Sequence, residues 1–247
     1  MSFFILIFFD KRYALKAMTL NKYSEIESDI LIKLKNEYLT SYEEWFVLKS
    51  ICYCIVMEYC ENGDLRYRIN EKKKLNKLFN SELIYNWINE IINGIYYLHY
   101  TQRIIHRDIK PNNIFLTKQV RIKIGDFGIS RVFDDESESL YATTRNVGTH
   151  KYMSPQIKLN NNYSYKTDCW SIGCTLYELI TLNNYHDDLE LNNNEINLDN
   201  ISSSSMNILN QLLNMMLQKE ENDRSSSEEL VNLLEKHPKF IFDKVSI

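Results

Sequence analysis

The chain has 247 residues, 44% hydrophobic and 25% charged, with a formal net charge of −4. That is enough to bury a real core and suits one globular unit or two small lobes. The charge balance excludes a long basic run for nucleic acid or anionic membrane; the densest patch, Lys72-Lys73-Lys74, reads as a solvated helix face.

Residues 3–9, Phe-Phe-Ile-Leu-Ile-Phe-Phe, are too short to span a bilayer and lack the basic start and cleavage site of a signal peptide. They read as a buried strand, joined by a turn at Asp10-Lys11 to a second strand over residues 12–18 that contains Tyr13-Ala14-Leu15-Lys16. Residues 24–35 are helical, with Ile26, Ile30, Leu31 and Leu34 on one face. Residues 42–48 and 51–57 read as two more strands, followed by Glu58-Tyr59-Cys60-Glu61-Asn62-Gly63 with a turn at Asn62-Gly63. A long helix covers residues 81–100, with Ser81 as N-cap and a broad stripe through Leu83, Ile84, Trp87, Ile88, Ile91, Ile92, Ile95 and Leu98. His99, near its end, reads as a capping or packing residue. Residues 114–116 and 120–124 form a hairpin, and residues 134–139 are acidic. A helix opens near Tyr165, residues 185–200 are polar and asparagine-rich, and two last helices cover residues 208–217 and 228–234. Met215 and Met216 read as core fillers. The five cysteines, Cys52, Cys54, Cys60, Cys169 and Cys174, form no Cys-x-x-Cys pair and fit free thiols in a reducing compartment.

The chemistry concentrates at His106-Arg107-Asp108-Ile109-Lys110-Pro111-Asn112-Asn113, followed by Asp126-Phe127-Gly128. In order and spacing, these resemble the H-R-D-L-x-x-x-N catalytic loop and the D-F-G metal loop of protein kinases. The resemblance extends over about residues 12–236. It implies an α+β, bilobal kinase fold over residues 1–247, with a small β-rich N-lobe over 1–60 and a larger, mainly helical C-lobe over 61–247. It also implies ATP, Mg²⁺ and protein substrates. Asp108 would accept the proton of a substrate hydroxyl, and Lys110 would neutralise the γ-phosphate and mark Ser/Thr specificity. Asn113 and Asp126 would hold magnesium through hard oxygens. Lys16 matches the phosphate lysine of the V-A-I-K strand, with Glu27 as its helix partner and Glu25 as the alternative. Met57 would back the adenine pocket, the backbones of Glu58 and Cys60 would bind the adenine edge, and Phe115 would pack beneath it. Thr149 would hydrogen-bond Asp108 and Lys110. Asp168 would brace the catalytic loop. A phosphate on Thr143 or Thr144 would pair with Arg107; Arg145 stands where relatives often carry the activating threonine.

Two departures stand out. No glycine precedes Gly63, so the G-x-G-x-x-G loop over the phosphates is missing, and Phe4 stands where a glycine would be. Phenylalanine there keeps the backbone from approaching phosphate. This implies either a gene start upstream of Met1 or weak ATP binding. The A-P-E motif becomes Ser154-Pro155-Gln156, so Arg224 would face a neutral amide and soften the lobe. Residues 57–65, 114–117, 163–168 and 177–179 resemble the NIMA-related (Nek) kinases, and residues 148–155 also resemble the kinases of translation initiation factor 2. The resemblance implies a cytoplasmic, nuclear or cytoskeleton-associated Ser/Thr protein kinase; the alternative is a pseudokinase-like binding or scaffold module.

Overall fold

The computed structural model describes residues 2–20, 24–132, 149–160, 164–185 and 204–237, without the side chains of Ser2, residues 24–26, Val132 and Asn160. Its N-terminal part is one antiparallel sheet of β1 (Ser2–Phe8), β2 (Lys11–Thr19), β3 (Tyr42–Leu48) and β4 (Cys52–Glu58), in the order β1-β2-β4-β3. The register sets Lys16 opposite Phe3 on one side and Ile55 on the other. Lys11 pairs with Phe8, so the turn is Phe9-Asp10, one residue earlier than the sequence suggested. Both turn residues have positive φ, 46° and 62°, as tight hairpin turns of the primed types require.

The apolar run does form a strand, but it is not buried. Phe4 is 56% exposed, Ile7 66% and Phe8 62%. β1 pairs only with β2 at the sheet edge, and α1 (Ser24–Lys33) packs beside β3, not over β1. α1 buries Ile30, Leu31 and Leu34.

The larger lobe begins at α2 (Leu65–Leu75), whose first turn is capped by Asp64 accepting the Tyr67 N–H at 2.7 Å. The core helix is α3 (Ser81–Tyr96), with Ile88, Ile91, Ile92 and Ile95 fully buried. Each such side chain contributes roughly 1.5–3 kcal/mol of burial. Its N-cap is Asn80, not Ser81: Asn80 Oδ1 accepts from Glu82 N at 2.8 Å and Leu83 N at 3.3 Å. Ser81 is the first helical residue, and its hydroxyl meets that of Ser205 at 2.9 Å. α3 continues into a π-helical turn, Tyr97–Thr101.

Two short pairings frame the loops that follow: β5 (Ile104–Ile105) with β8 (Arg131–Val132), and β6 (Ile114–Leu116) with β7 (Ile122–Ile124). α4 (Pro155–Asn160) leads to α5 (Tyr165–Thr181), which is buried along most of its length between α3 and α6 (Ser204–Met216). α7 (Ser227–Leu234) closes the lobe against α3. Met216 is fully buried and Met215 packs against the core. Thr143, Thr144, Arg145, the acidic run and residues 186–200 lie outside the described residues. Among the described residues no helix is long and apolar enough to cross a membrane.

Candidate active site

The sheet and the helical lobe meet at a cleft of about 640 Å³. Lys16, Met57, Glu58, Cys60, Lys110, Asn113, Phe115 and Asp126 all line it, and Phe3, Phe4 and Ile5 of β1 contribute to its wall. β2 carries Lys16, the chain after β4 carries Cys60, and the turn before β6 carries Asn113. Gly125 lets this wall close: a Cβ there would lie 2.9 Å from Thr40 Cγ2 and 3.0 Å from the Phe115 ring.

The Lys16 ammonium is fully buried and lies 2.6 Å from both carboxylate oxygens of Glu27 and 2.7 Å from Asp126 Oδ1. A buried ammonium persists only when paired. Burial pulls the Lys16 pKa down, but the charges of Glu27 and Asp126 outweigh it and leave it raised. Burial also opposes ionisation of Asp126, yet Lys16, His106 and Lys110 hold its pKa below the ordinary carboxylate value. The Phe3 ring centroid stands 6.0 Å from Lys16 Nζ.

A second cluster forms around Asp108. Lys110 Nζ donates to Asp108 Oδ2 at 2.6 Å and to Thr149 Oγ1 at 2.8 Å, and Thr149 donates to Asp108 Oδ1 at 3.2 Å. Asn113 Nδ2 donates to the Asp108 carbonyl at 2.8 Å and to its Oδ2 at 2.9 Å. The Asn113 amide group is thereby fixed with its donor nitrogen on Asp108, which leaves Oδ1 as its cation-binding atom. Asn113 Oδ1 and the Asp126 carboxylate are hard oxygens on one cleft, the donor set that suits magnesium.

Asp108 and Asp126 are placed by strained backbone. Arg107 and Asp126 have φ of 73° and 65°, left-handed values that cost a non-glycine residue on the order of 1 kcal/mol or more. The restraint is Asp168, fully buried on α5, which accepts the N–H of His106 at 2.8 Å and of Arg107 at 2.9 Å. His106 Nδ1 accepts the Asp108 N–H at 3.3 Å and its Nε2 donates to the Gly125 carbonyl at 3.2 Å, which fixes a neutral ring. His106 also packs on Phe127, ring centroids 5.0 Å apart.

Sequence reasoning missed three contacts. His99 is the packing residue expected, buried against Tyr165, but its Nε2 also lies 3.0 Å from Asp168 Oδ2. Lys123 Nζ bridges the lobes, 3.0 Å from Glu58 Oε1 and 3.2 Å from the Leu39 carbonyl. Arg66 binds the fully buried Glu178 at 2.6 Å and 2.8 Å, and both contact the Tyr152 hydroxyl, three residues past Thr149. Periodicity gives no signal for partners separated by 112 positions.

The surroundings of His106, Asp126 and Asp168 imply a pH dependence of stability. Burial lowers the His106 pKa from 6.5, so its contribution to stability is present above pH 6.5 and is lost as pH falls towards the folded value. The pKa values of Asp126 and Asp168 are held below 3.8, so theirs is present above pH 3.8 and is lost as pH falls through the folded values. Unfolding free energy is expected to decline below pH 6.5 and more steeply below pH 3.8, measured by urea titration across pH; a profile flat to pH 3 contradicts it. Burial, with the charge of Glu58, pushes the Cys60 thiol up to about 12. Iodoacetamide at mild alkaline pH is therefore expected to label half-buried Cys52 well before Cys60, read by peptide mass spectrometry.

The protein kinase domain family matches residues 9–236. Serine/threonine-protein kinase Nek6 of Oryza sativa subsp. japonica is 34% identical over 243 residues, covering 92% of this chain and 43% of that protein. Nek3 of Mus musculus is 42% identical over 159 residues (64% of this chain, 30% of that protein), and mouse Nek1 is 39% identical over 179 residues (70% and 14%). The chain thus spans less than half the length of these curated relatives. With its sheet, its helical lobe and the two loops in place, the chain belongs to the protein kinase domain family, and the relatives it resembles are NIMA-related Ser/Thr kinases.

Proposed function

We propose that this chain transfers the γ-phosphoryl group of ATP to serine and threonine hydroxyls of proteins. The observation that carries this is the junction of two clusters on one cleft: Lys16–Glu27–Asp126 on one side and Asp108–Lys110–Thr149–Asn113 on the other. Phosphoryl transfer depends almost wholly on positioning and charge neutralisation, and these residues supply both. Asp108 accepts the proton of the incoming hydroxyl. Lys110, between Asp108 and Thr149, donates to the γ-phosphate. Magnesium, when bound to Asp126 and Asn113, neutralises charge on the phosphates. Lys16 already gives its donors to Glu27 and Asp126, so a phosphate oxygen reaching it competes with Asp126. At the adenine end, the Glu58 N–H is taken by the Ser41 carbonyl and the Cys60 carbonyl by the Gly63 N–H. The Glu58 carbonyl and the Cys60 N–H are the groups left to read the adenine edge. The wall of Phe3, Phe4 and Ile5 puts apolar side chains where the family places glycines. Retention of the whole charged set supports an enzyme over a scaffold.

The test is incubation with γ-labelled ATP, magnesium and generic acceptor proteins, followed by phosphoamino-acid analysis. Phosphoserine and phosphothreonine without phosphotyrosine are expected; absence of transfer, or label on tyrosine, refutes the proposal. Asp108→Asn is expected to lower kcat by about 10²-fold or more, the usual share of a positioned base, with the melting temperature little changed.

A further inference from the structure

The π-helical turn after α3 carries a histidine that phosphoryl transfer does not use. His99 is 2% exposed and sits between two other buried polar groups. Its Nε2 lies 3.0 Å from Asp168 Oδ2, and its Nδ1 lies 2.9 Å from the hydroxyl of Ser227, the first residue of α7. Its ring packs on Tyr165, centroids 4.8 Å apart. Asp168 in turn holds the N–H groups of His106 and Arg107. A continuous line of hydrogen bonds therefore runs from α7 to the backbone immediately before Asp108.

Serine, histidine and aspartate in this order resemble a nucleophile and its base, but that chemistry is excluded. Ser227 has no exposed surface, and no substrate can reach its oxygen. The line does something else. An ionised Asp168 requires a proton on His99 Nε2. The other ring nitrogen, Nδ1, is buried as well, and a buried polar atom needs a hydrogen-bond partner. The Ser227 hydroxyl, 2.9 Å away, is that partner. The start of α7 does not need it, since Ser226 caps the helix: its side chain accepts the Glu229 N–H at 3.3 Å and its N–H donates to Glu229 Oε2 at 2.7 Å. Two adjacent serines thus have separable tasks, one holding the helix and one holding the histidine.

We propose that Ser227 is a positioning residue for phosphoryl transfer, acting through His99 and Asp168 to fix the strained backbone that presents Asp108. This rests on the kinase function proposed above. It also explains the π turn: the widened turn, a feature often found at functional sites, aims His99 between α5 and α7.

The experiment compares Ser227→Ala with Ser226→Ala in the full chain. For Ser227→Ala, kcat is expected to fall about tenfold while KM for ATP stays the same, within what a misplaced catalytic group costs. The His106 and Arg107 amides are expected to exchange with deuterium about tenfold faster, reporting local loosening. The ¹⁵N resonance of His99 Nδ1 should shift as its hydrogen-bond partner is lost. Ser226→Ala is expected to lower the melting temperature without any of these three effects. Unchanged kcat, exchange and Nδ1 resonance in Ser227→Ala overturn the proposal, as do changes that Ser226→Ala reproduces equally. Exchange and the resonance do not need turnover: a wild-type chain without transfer refutes the kinase function, and these two readouts still decide whether Ser227 holds the loop.

Discussion

Asp168→Ala is expected to lower the unfolding free energy by about 3–5 kcal/mol, the largest loss among single substitutions near the site. The carboxylate accepts three hydrogen bonds, from His99 Nε2 and the amides of His106 and Arg107, and none of these donors has water as a substitute. An orphaned buried donor costs about 1–3 kcal/mol, and three that share one partner are not additive. For a chain of this size each kcal/mol shifts the melting temperature by roughly 2–4 °C, so a drop of about 10 °C is expected. Activity should fall beyond what the folded fraction explains, because Arg107 loses the acceptor that holds its left-handed conformation. Asp168→Asn keeps the shape and one acceptor oxygen and should lose less. A melting temperature within about 2 °C of wild type for Asp168→Ala contradicts this assignment.

Arg224→Ala is the second substitution with a large expected cost, again about 3–5 kcal/mol. The guanidinium is 1% exposed, and no carboxylate is its hydrogen-bond partner among the described residues. It donates to the carbonyls of Gln218, Lys219 and Lys166 and to Gln156 Oε1 at 2.8 Å, and lies 4.9 Å from the Trp170 ring. Burial pulls its pKa below the usual arginine value, and hydrogen bonds to charged donors of this kind contribute about 1.5–3 kcal/mol each. The amide at position 156 is more than a weakened glutamate. Its Nε2 donates to the Lys219 carbonyl at 2.6 Å, a bond that a carboxylate would replace with repulsion. Gln156→Glu is therefore expected to change stability by less than about 1 kcal/mol, its new ion pair offset by the lost donor. Urea denaturation of both variants checks this. A gain of several kcal/mol in Gln156→Glu would show that the missing charge governs the pocket.

What the sequence reveals divides along physical lines. Asp108, Lys110, Asn113 and Asp126 are legible because the chemistry demands those groups at fixed separations in short loops. Glu27 is legible through the resemblance to kinases, whose helix glutamate is followed by apolar residues four and seven positions on, as Leu31 and Leu34 follow it here. The exposure of β1 is not, since the composition of an apolar run does not reveal which strand ends up at an edge without a covering layer. Asn80 takes the cap from Ser81 because both are good caps and only the entry angle of the chain decides between them. The ties made by Arg66, Lys123 and Ser227 span distant segments and depend on how helices and strands pack, which local pattern does not encode. His99 is a special case: a regular helix would aim it elsewhere, and the π turn that redirects it leaves no residue signature.

The central claim is that the cleft joining Lys16, Asp126 and Asp108 performs phosphoryl transfer. The most direct measurement is label transfer from γ-labelled ATP, with magnesium, by the wild-type chain and by Asp126→Asn, with melting temperatures recorded in parallel. Transfer by wild type that is abolished in a folded Asp126→Asn is the expected result. Equal transfer by both chains, or none by a wild-type chain that MgATP nevertheless stabilises, contradicts it.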